Sequence, residues 1–241
     1  MRKRIRVVNR NGGIMHCSIR TRIVLGSICG ALFIVLTVSV GLNLEWIRGL
    51  DGAIQSAVFA LRTEAITPII ETTTEWSGIG VSHILMLAFF IFLLARKKVR
   101  KAIIYFASFM TADVIFNILK TAMNRPRPFG MNLMDFPLDS TYPSGHVFMA
   151  CAFACFTIYV IIQEYPGIPR AAKITLVAFA VIWPLYIGFT RIYVGVHWPT
   201  DVLGSLLFGA GTFLPFATVV WQKLANKPKK TKGGDTKTVS K

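Results

Sequence analysis

Residues 23–42 read IVLGSICGALFIVLTVSVGL, twenty positions without a charge. As a helix rising 1.5 Å per residue, that run extends about 30 Å, the thickness of a bilayer's hydrocarbon core. Residues 202–221, VLGSLLFGAGTFLPFATVVW, repeat the pattern near the other end of the 241-residue chain. Four more apolar runs lie between them: Ile79–Ala95, Ala102–Leu119 (interrupted by Asp113), Pro143–Ile162 and Ile174–Thr190. The expected fold is all-α, a six-transmembrane-helix bundle. The first run is too long for the core of a cleavable signal peptide and no small-residue cleavage site follows it, so it reads as a retained anchor.

Composition agrees: 54% of residues are hydrophobic and only 16% charged, an apolar excess rare in a soluble domain of this length. The net charge of +16 is sorted along the chain. Segments 1–22, 96–101, 170–173 and the stretch after Trp221 hold 21 of the 27 Lys and Arg residues, and six spans put all four on one side. The positive-inside rule makes that side the cytoplasm, with both termini there. Small size, span number and charge bias suit the inner membrane of a bacterium. The domain division is a basic cytoplasmic segment (1–22), a six-span domain (23–222) and a basic disordered tail (223–241). Basic tails without a soluble recognition module speak for contact with anionic lipid rather than nucleic acid.

The longest connection, 43–78, repeats apolar residues at helical spacing (Ala53-Ile54, Ala57-Val58, Leu61). It is expected to form an interfacial helix between the first two spans, with Trp46 and Trp76 near the headgroups, the alternative being an amphipathic loop helix that covers the top of the bundle. Cys17, Cys29, Cys151 and Cys155 avoid the outer loops, and no disulfide is expected.

Three polar clusters interrupt this apolar plan. Lys120 with Arg127-Pro128 closes the third span, Pro143-Ser144-Gly145-His146 opens the fourth, and Thr190-Arg191 with His197 and Asp201 joins the fifth to the sixth. All three emerge on the outer face, an agreement the span assignment does not impose. Charged groups beside apolar spans are costly without partners or work to do. Lys120, Arg127 and Arg191 can surround a dianionic phosphoryl group, arginine through paired planar donors and lysine through a compact charge. Ser144, a candidate N-cap, and Gly145 add backbone N–H donors at the positive end of a helix dipole. His197 and Asp201, four residues apart, share one face of a helix. A carboxylate there can accept the Nδ1 proton and leave Nε2 as a nucleophile. His146, beside the cradle, can protonate the departing oxygen. No magnesium-type carboxylate cluster lies near these motifs, so metal-independent catalysis without a cofactor is expected.

Other polar residues read more plainly. His83 in the second span is a packing or hydrogen-bonding residue. Asp113, one helix face with Asn117 and Lys120, is an interhelical contact. Arg125 is a headgroup contact rather than a ligand.

The three clusters resemble the three signature motifs of the type 2 phosphatidic acid phosphatase (lipid phosphate phosphatase) superfamily, over residues 23–222. The resemblance implies phosphate binding by Lys120, Arg127, Ser144, Gly145 and Arg191, His146 as acid, His197 as nucleophile, Asp201 as its orienting partner, and independence of magnesium. Thr190 stands where that family usually has serine. Vanadate-dependent haloperoxidases share a similar oxyanion cage but are soluble. The implied substrates are lipid phosphates or diphosphates: undecaprenyl diphosphate, phosphatidylglycerol phosphate or phosphatidic acid. The rival readings are a phosphate-lipid transporter and a non-catalytic binding protein. A transport site belongs near the midplane between broken helices, whereas these clusters sit at helix ends.

Overall fold

In the computed structural model, residues 19–76, 79–130, 132–135, 139–216 and 221 are described, and the expectations for the basic segment 1–18 and the tail 223–241 fall outside them. Eight helices are found among the described residues: α1 (Ile19–Gly41), α2 (Glu45–Phe59), α3 (Thr67–Trp76), α4 (Ile79–Ala95), α5 (Val99–Met123), α6 (Gly145–Glu164), α7 (Arg170–Tyr193) and α8 (Pro199–Phe216). The chain is all-helical there, as expected.

Four of these helices, α1, α5, α6 and α7, are long and apolar enough to cross a membrane. The number becomes five if α3 and α4, bent by 43° to each other, form one broken span. The six expected runs all fall on helices. However, α4 has only 17 residues, and α8 is described only to Phe216. The single helix expected in 43–78 is two, α2 and α3, separated by residues 60–66. The face marked by Ile54 and Leu61 is exposed, and α2 buries Ile47 and Asp51, one turn apart. Trp46 and Trp76 are both exposed.

α6 is the hub. In its most apolar window 67% of residues are buried, against 17% for α7 and 22% for α1, whose outer faces are bare and apolar. Phe148 of α6 stacks on Phe116 of α5 at 4.6 Å, and Phe156 stacks on Tyr105 at 5.1 Å. Such offset aromatic pairs lock a helix in rotation as well as in depth. The Tyr105 hydroxyl meets Thr157 at 2.8 Å, satisfying a buried polar group across the same interface. α1 lies on α8 backbone to backbone: a methyl on Gly211 would stand 3.0 Å from the Gly30 nitrogen. Small residues permit this approach, which compensates for the weak hydrophobic drive between helices in lipid.

At one end of the bundle the chain turns irregular. α5 stops at Met123 because Asn124 takes a left-handed conformation (φ 41°) and Pro126 follows. The described residues of the following loop, 124–130, 132–135 and 139–144, lie over the α7–α8 turn. Leu133 N–H donates to the Val194 carbonyl, Asn132 to Gly195, and the Trp198 indole to Pro126. Arg62, stacked on Phe59, donates to the Tyr193 carbonyl at the C-terminus of α7.

Candidate active site

Lys120 lies in the last turn of α5, Ser144 and Gly145 at the start of α6, Arg191 in the last turn of α7 and Asp201 in the first turn of α8. Arg127 and His197 come from the two loops between them. The structure brings these residues to the same end of the bundle. His146 lies within electrostatic reach of Arg191, His197, Lys120 and Arg127, so both histidines share one cluster of cations.

The imidazole of His197 is buried, with Nδ1 3.4 Å from Asp201 Oδ2 and 3.1 Å from Thr141 Oγ1. The two residues are not on one helix as the spacing implied, since α8 begins at Pro199. The turn at 197–198 nevertheless keeps them together, and Trp198 N–H donates to Asp201 Oδ2 at 2.8 Å. Thr141 donates its single hydroxyl proton to Asp201. Toward His197 its oxygen is therefore an acceptor, so Nδ1 carries the ring proton and Nε2 the lone pair. Burial pushes the His197 imidazole down to about 4, against the opposing pull of the Asp201 charge, which holds the ring neutral at ordinary pH.

Asp201 is fully buried and its other oxygen accepts from Arg125 at 2.5 Å. Arg125 reaches across to a second carboxylate, Asp51 of α2, also at 2.5 Å. Asp51 in turn accepts from the Thr200 N–H at 2.9 Å and the Thr200 hydroxyl at 3.0 Å, capping α8 from another helix. Arg125 is thus a scaffold cation, not the headgroup contact that its place in the sequence implied.

Ser144 occupies the N-cap position of α6 but makes no side-chain capping bond. Its Oγ and the Arg191 Nε are buried without a hydrogen-bond partner, two polar atoms beside the predicted cradle. Arg191 NH1 donates to Thr74 of α3 at 3.1 Å. The Thr74 hydroxyl meets the Thr190 hydroxyl at 3.0 Å, and Thr190 donates to the Ile187 carbonyl at 2.8 Å. The threonine that replaces the family's usual serine is therefore used. Lys120 and Arg127 each pair with one oxygen of Asp139, at 2.6 and 2.5 Å. Elsewhere, His83 Nε2 stands 4.0 Å from Asp113, an interhelical polar contact between α4 and α5.

Cations, imidazoles and a buried carboxylate at one end of an apolar helical bundle define a membrane phosphatase. The comparisons name the group. The PAP2 superfamily model matches residues 101–225, just over half the chain, and the chain belongs to this superfamily. Phosphatidylglycerophosphatase B of Bacillus subtilis (strain 168) is 26% identical over 180 residues, covering 73% of this chain and 85% of that protein. Undecaprenyl-diphosphatase BcrC of the same organism is 31% identical over 144 residues, 56% of this chain and 64% of the relative. The crystal structure of a transmembrane PAP2-type phosphatidylglycerolphosphate phosphatase from Bacillus subtilis superposes with a TM-score of 0.72, covering 82% of this chain and 96% of that one; at 21% identity this likeness concerns the fold.

Six residues that brace the site escaped the sequence reading: Thr74, Arg125, Asp139 and Thr141, which touch site residues, and Asp51 and Thr200, which hold Arg125. Only Asp51 left a trace, as an acid one helical turn from Ile47 on an amphipathic segment.

Proposed function

We propose that this chain is an integral membrane lipid phosphatase that cleaves a phosphomonoester or diphosphate at the outer leaflet through a phosphohistidine. The observation that carries the reading is the His197 tautomer: Asp201 and Thr141 engage Nδ1, which leaves the Nε2 lone pair for attack. Nε2 bonds to phosphorus as the bond from phosphorus to the lipid-side oxygen breaks, and His146, protonated once the phosphoryl dianion lies among the cations, gives that oxygen its proton. Water, deprotonated by His146, then attacks phosphorus, and the P–N bond returns its electrons to His197. Lys120, Arg127 and Arg191, with the Ser144 hydroxyl and the Gly145 N–H, hold the phosphoryl oxygens as negative charge builds on them. Asp201 balances the imidazolium positive charge.

Metal independence belongs to the same proposal. Asp51, Asp139 and Asp201, three of the carboxylates around these motifs, are committed to protein donors. So does the topology: six spans over residues 23–222, α2 and α3 at the outer interface, and basic segments 1–22 and 223–241 in the cytoplasm. Undecaprenyl diphosphate, phosphatidylglycerol phosphate and phosphatidic acid are the candidate substrates, the first two in line with the names of relatives. An outward site favours the carrier diphosphate.

The test is phosphate release by the purified protein in detergent with EDTA present. Wild type should release phosphate and His197→Ala should not. Equal release by both removes the mechanism, and activity that EDTA abolishes and magnesium restores removes its metal independence.

A further inference from the structure

A carboxylate sits between two of the phosphate-binding candidates. Asp139 Oδ2 meets Lys120 Nζ at 2.6 Å and Oδ1 meets Arg127 NH2 at 2.5 Å, one oxygen for each cation. The cations are largely buried, with side-chain exposures of 14% and 7%, whereas Asp139 is 44% exposed. Just after it the chain is pinned: Ser140 Oγ accepts from Arg125 N–H and Thr141 N–H donates to the Arg125 carbonyl. The Asp139 side chain stands at the edge of that anchor. It can rotate into water without unmaking those bonds.

We propose that Asp139 is a threshold residue, a built-in competitor that every anionic ligand must displace from Lys120 and Arg127, so that weakly held monoanionic ligands leave the site unfilled. The inference rests on the phosphatase reading above. A carboxylate offers two oxygens and one charge. A phosphodiester, the headgroup linkage of ordinary membrane phospholipids, also offers one charge on two non-bridging oxygens, so the exchange gains little. A terminal phosphoryl group brings three oxygens and close to two charges. It can take both cations from Asp139 and engage Arg191 and Ser144 as well. An outward cluster of cations in a bilayer meets diesters in great excess, and Asp139 keeps that surplus from filling it. The cost falls on the true substrate also, because its apparent affinity is lowered by the fraction of protein in which Asp139 holds the cations. Lys120 and Arg127 keep Asp139 ionised, their pull outweighing the upward push of burial, so the competition persists across physiological pH.

The experiment is calorimetric titration of the full-length protein in detergent micelles with inorganic phosphate and, separately, with glycerophosphoglycerol, a water-soluble diester. Proteins compared are wild type, Asp139→Asn, Asp139→Ser and Lys120→Met. Both Asp139 variants should bind phosphate about three- to tenfold more tightly, the range for two partly exposed ion pairs. Their affinity for the diester should rise by a similar factor, because displacing Asp139 taxes every ligand alike. Unchanged or weaker phosphate binding in the two Asp139 variants overturns the inference, since Asp139 would then only order the cations. That failure is separable from a failure of the phosphatase reading. If phosphate binding is absent from wild type, or indifferent to Lys120→Met, the site itself falls and the inference goes with it.

Discussion

Replacing Arg125 by methionine is the sharpest test of how the site is held. The guanidinium lies between Asp51 and Asp201, whose side chains are 2% and 0% exposed. Methionine fills much of the same volume but leaves the two buried carboxylates without their shared cation. Removing one partner of a buried ion pair costs about 3–5 kcal/mol, because the stranded charge keeps its desolvation penalty. The Thr200 N–H and hydroxyl still serve Asp51, and Trp198 and Thr141 still serve Asp201, so the lower part of that range is expected. At about 2–4 °C per kcal/mol for a chain of this size, the melting temperature should fall by roughly 6–12 °C. Turnover should fall too, since Asp201 loses the grip on the oxygen that faces away from His197.

The assay is a tryptophan-fluorescence melt in detergent at one fixed scan rate, run on Arg125→Met, Asp51→Asn and the double variant. If the cost is a stranded charge, neutralising Asp51 must return part of it, a coupling of about 1–3 kcal/mol. The pH dependence has a definite sign. Burial raises the Asp51 carboxyl above its usual range and Arg125 opposes this, so Arg125→Met raises it further. A carboxyl that holds its proton more tightly in the fold than in the unfolded chain favours the fold below its folded pKa and loses that advantage as pH rises through it. The deficit of Arg125→Met should therefore shrink as pH falls. A melt within 1 °C of wild type on the order of assay error, or a double variant no more stable than the single one, refutes the reasoning.

Asp201→Asn should keep the fold yet lose about 10²–10⁴-fold in kcat, because His197 loses the carboxylate that balances its imidazolium; near-normal turnover would contradict the role. Thr141→Val should lower kcat by about tenfold with little change in KM, since the hydroxyl bridges His197 and Asp201 rather than the phosphate cradle; a change confined to KM would move Thr141 into binding. The acid limb of kcat/KM due to His197 should fall near pH 4, not 6.5, because burial outweighs the Asp201 charge and the ring must be neutral to attack; a limb at 6.5 after correction for substrate ionisation would place the ring in water.

The span pattern and the three motifs were legible because each depends on residues a fixed distance apart along one chain. Twenty uncharged positions announce a helix, and Lys120 seven residues before Arg127 is a local fact about a helix end and the loop that follows. The wiring behind the motifs obeys no such spacing. Asp51 joins Thr200 and Arg125 across separations of 149 and 74 residues, and Thr74 joins Thr190 across 116. Each partner is a common residue type in an unremarkable context, and its role exists only once helices pack. The same cause hid the inward face of α2, because the apolar repeat marks only the face that an interfacial helix turns to lipid. The face turned to the protein carries the carboxylate, because a buried acid is tolerable only where Arg125 and the free N–H of α8 await it. For such segments polarity, rather than apolarity, points inward. An acid such as Asp51 or Asp139 near a cluster of cations is therefore better read first as a partner of those cations than as a solvated loop residue.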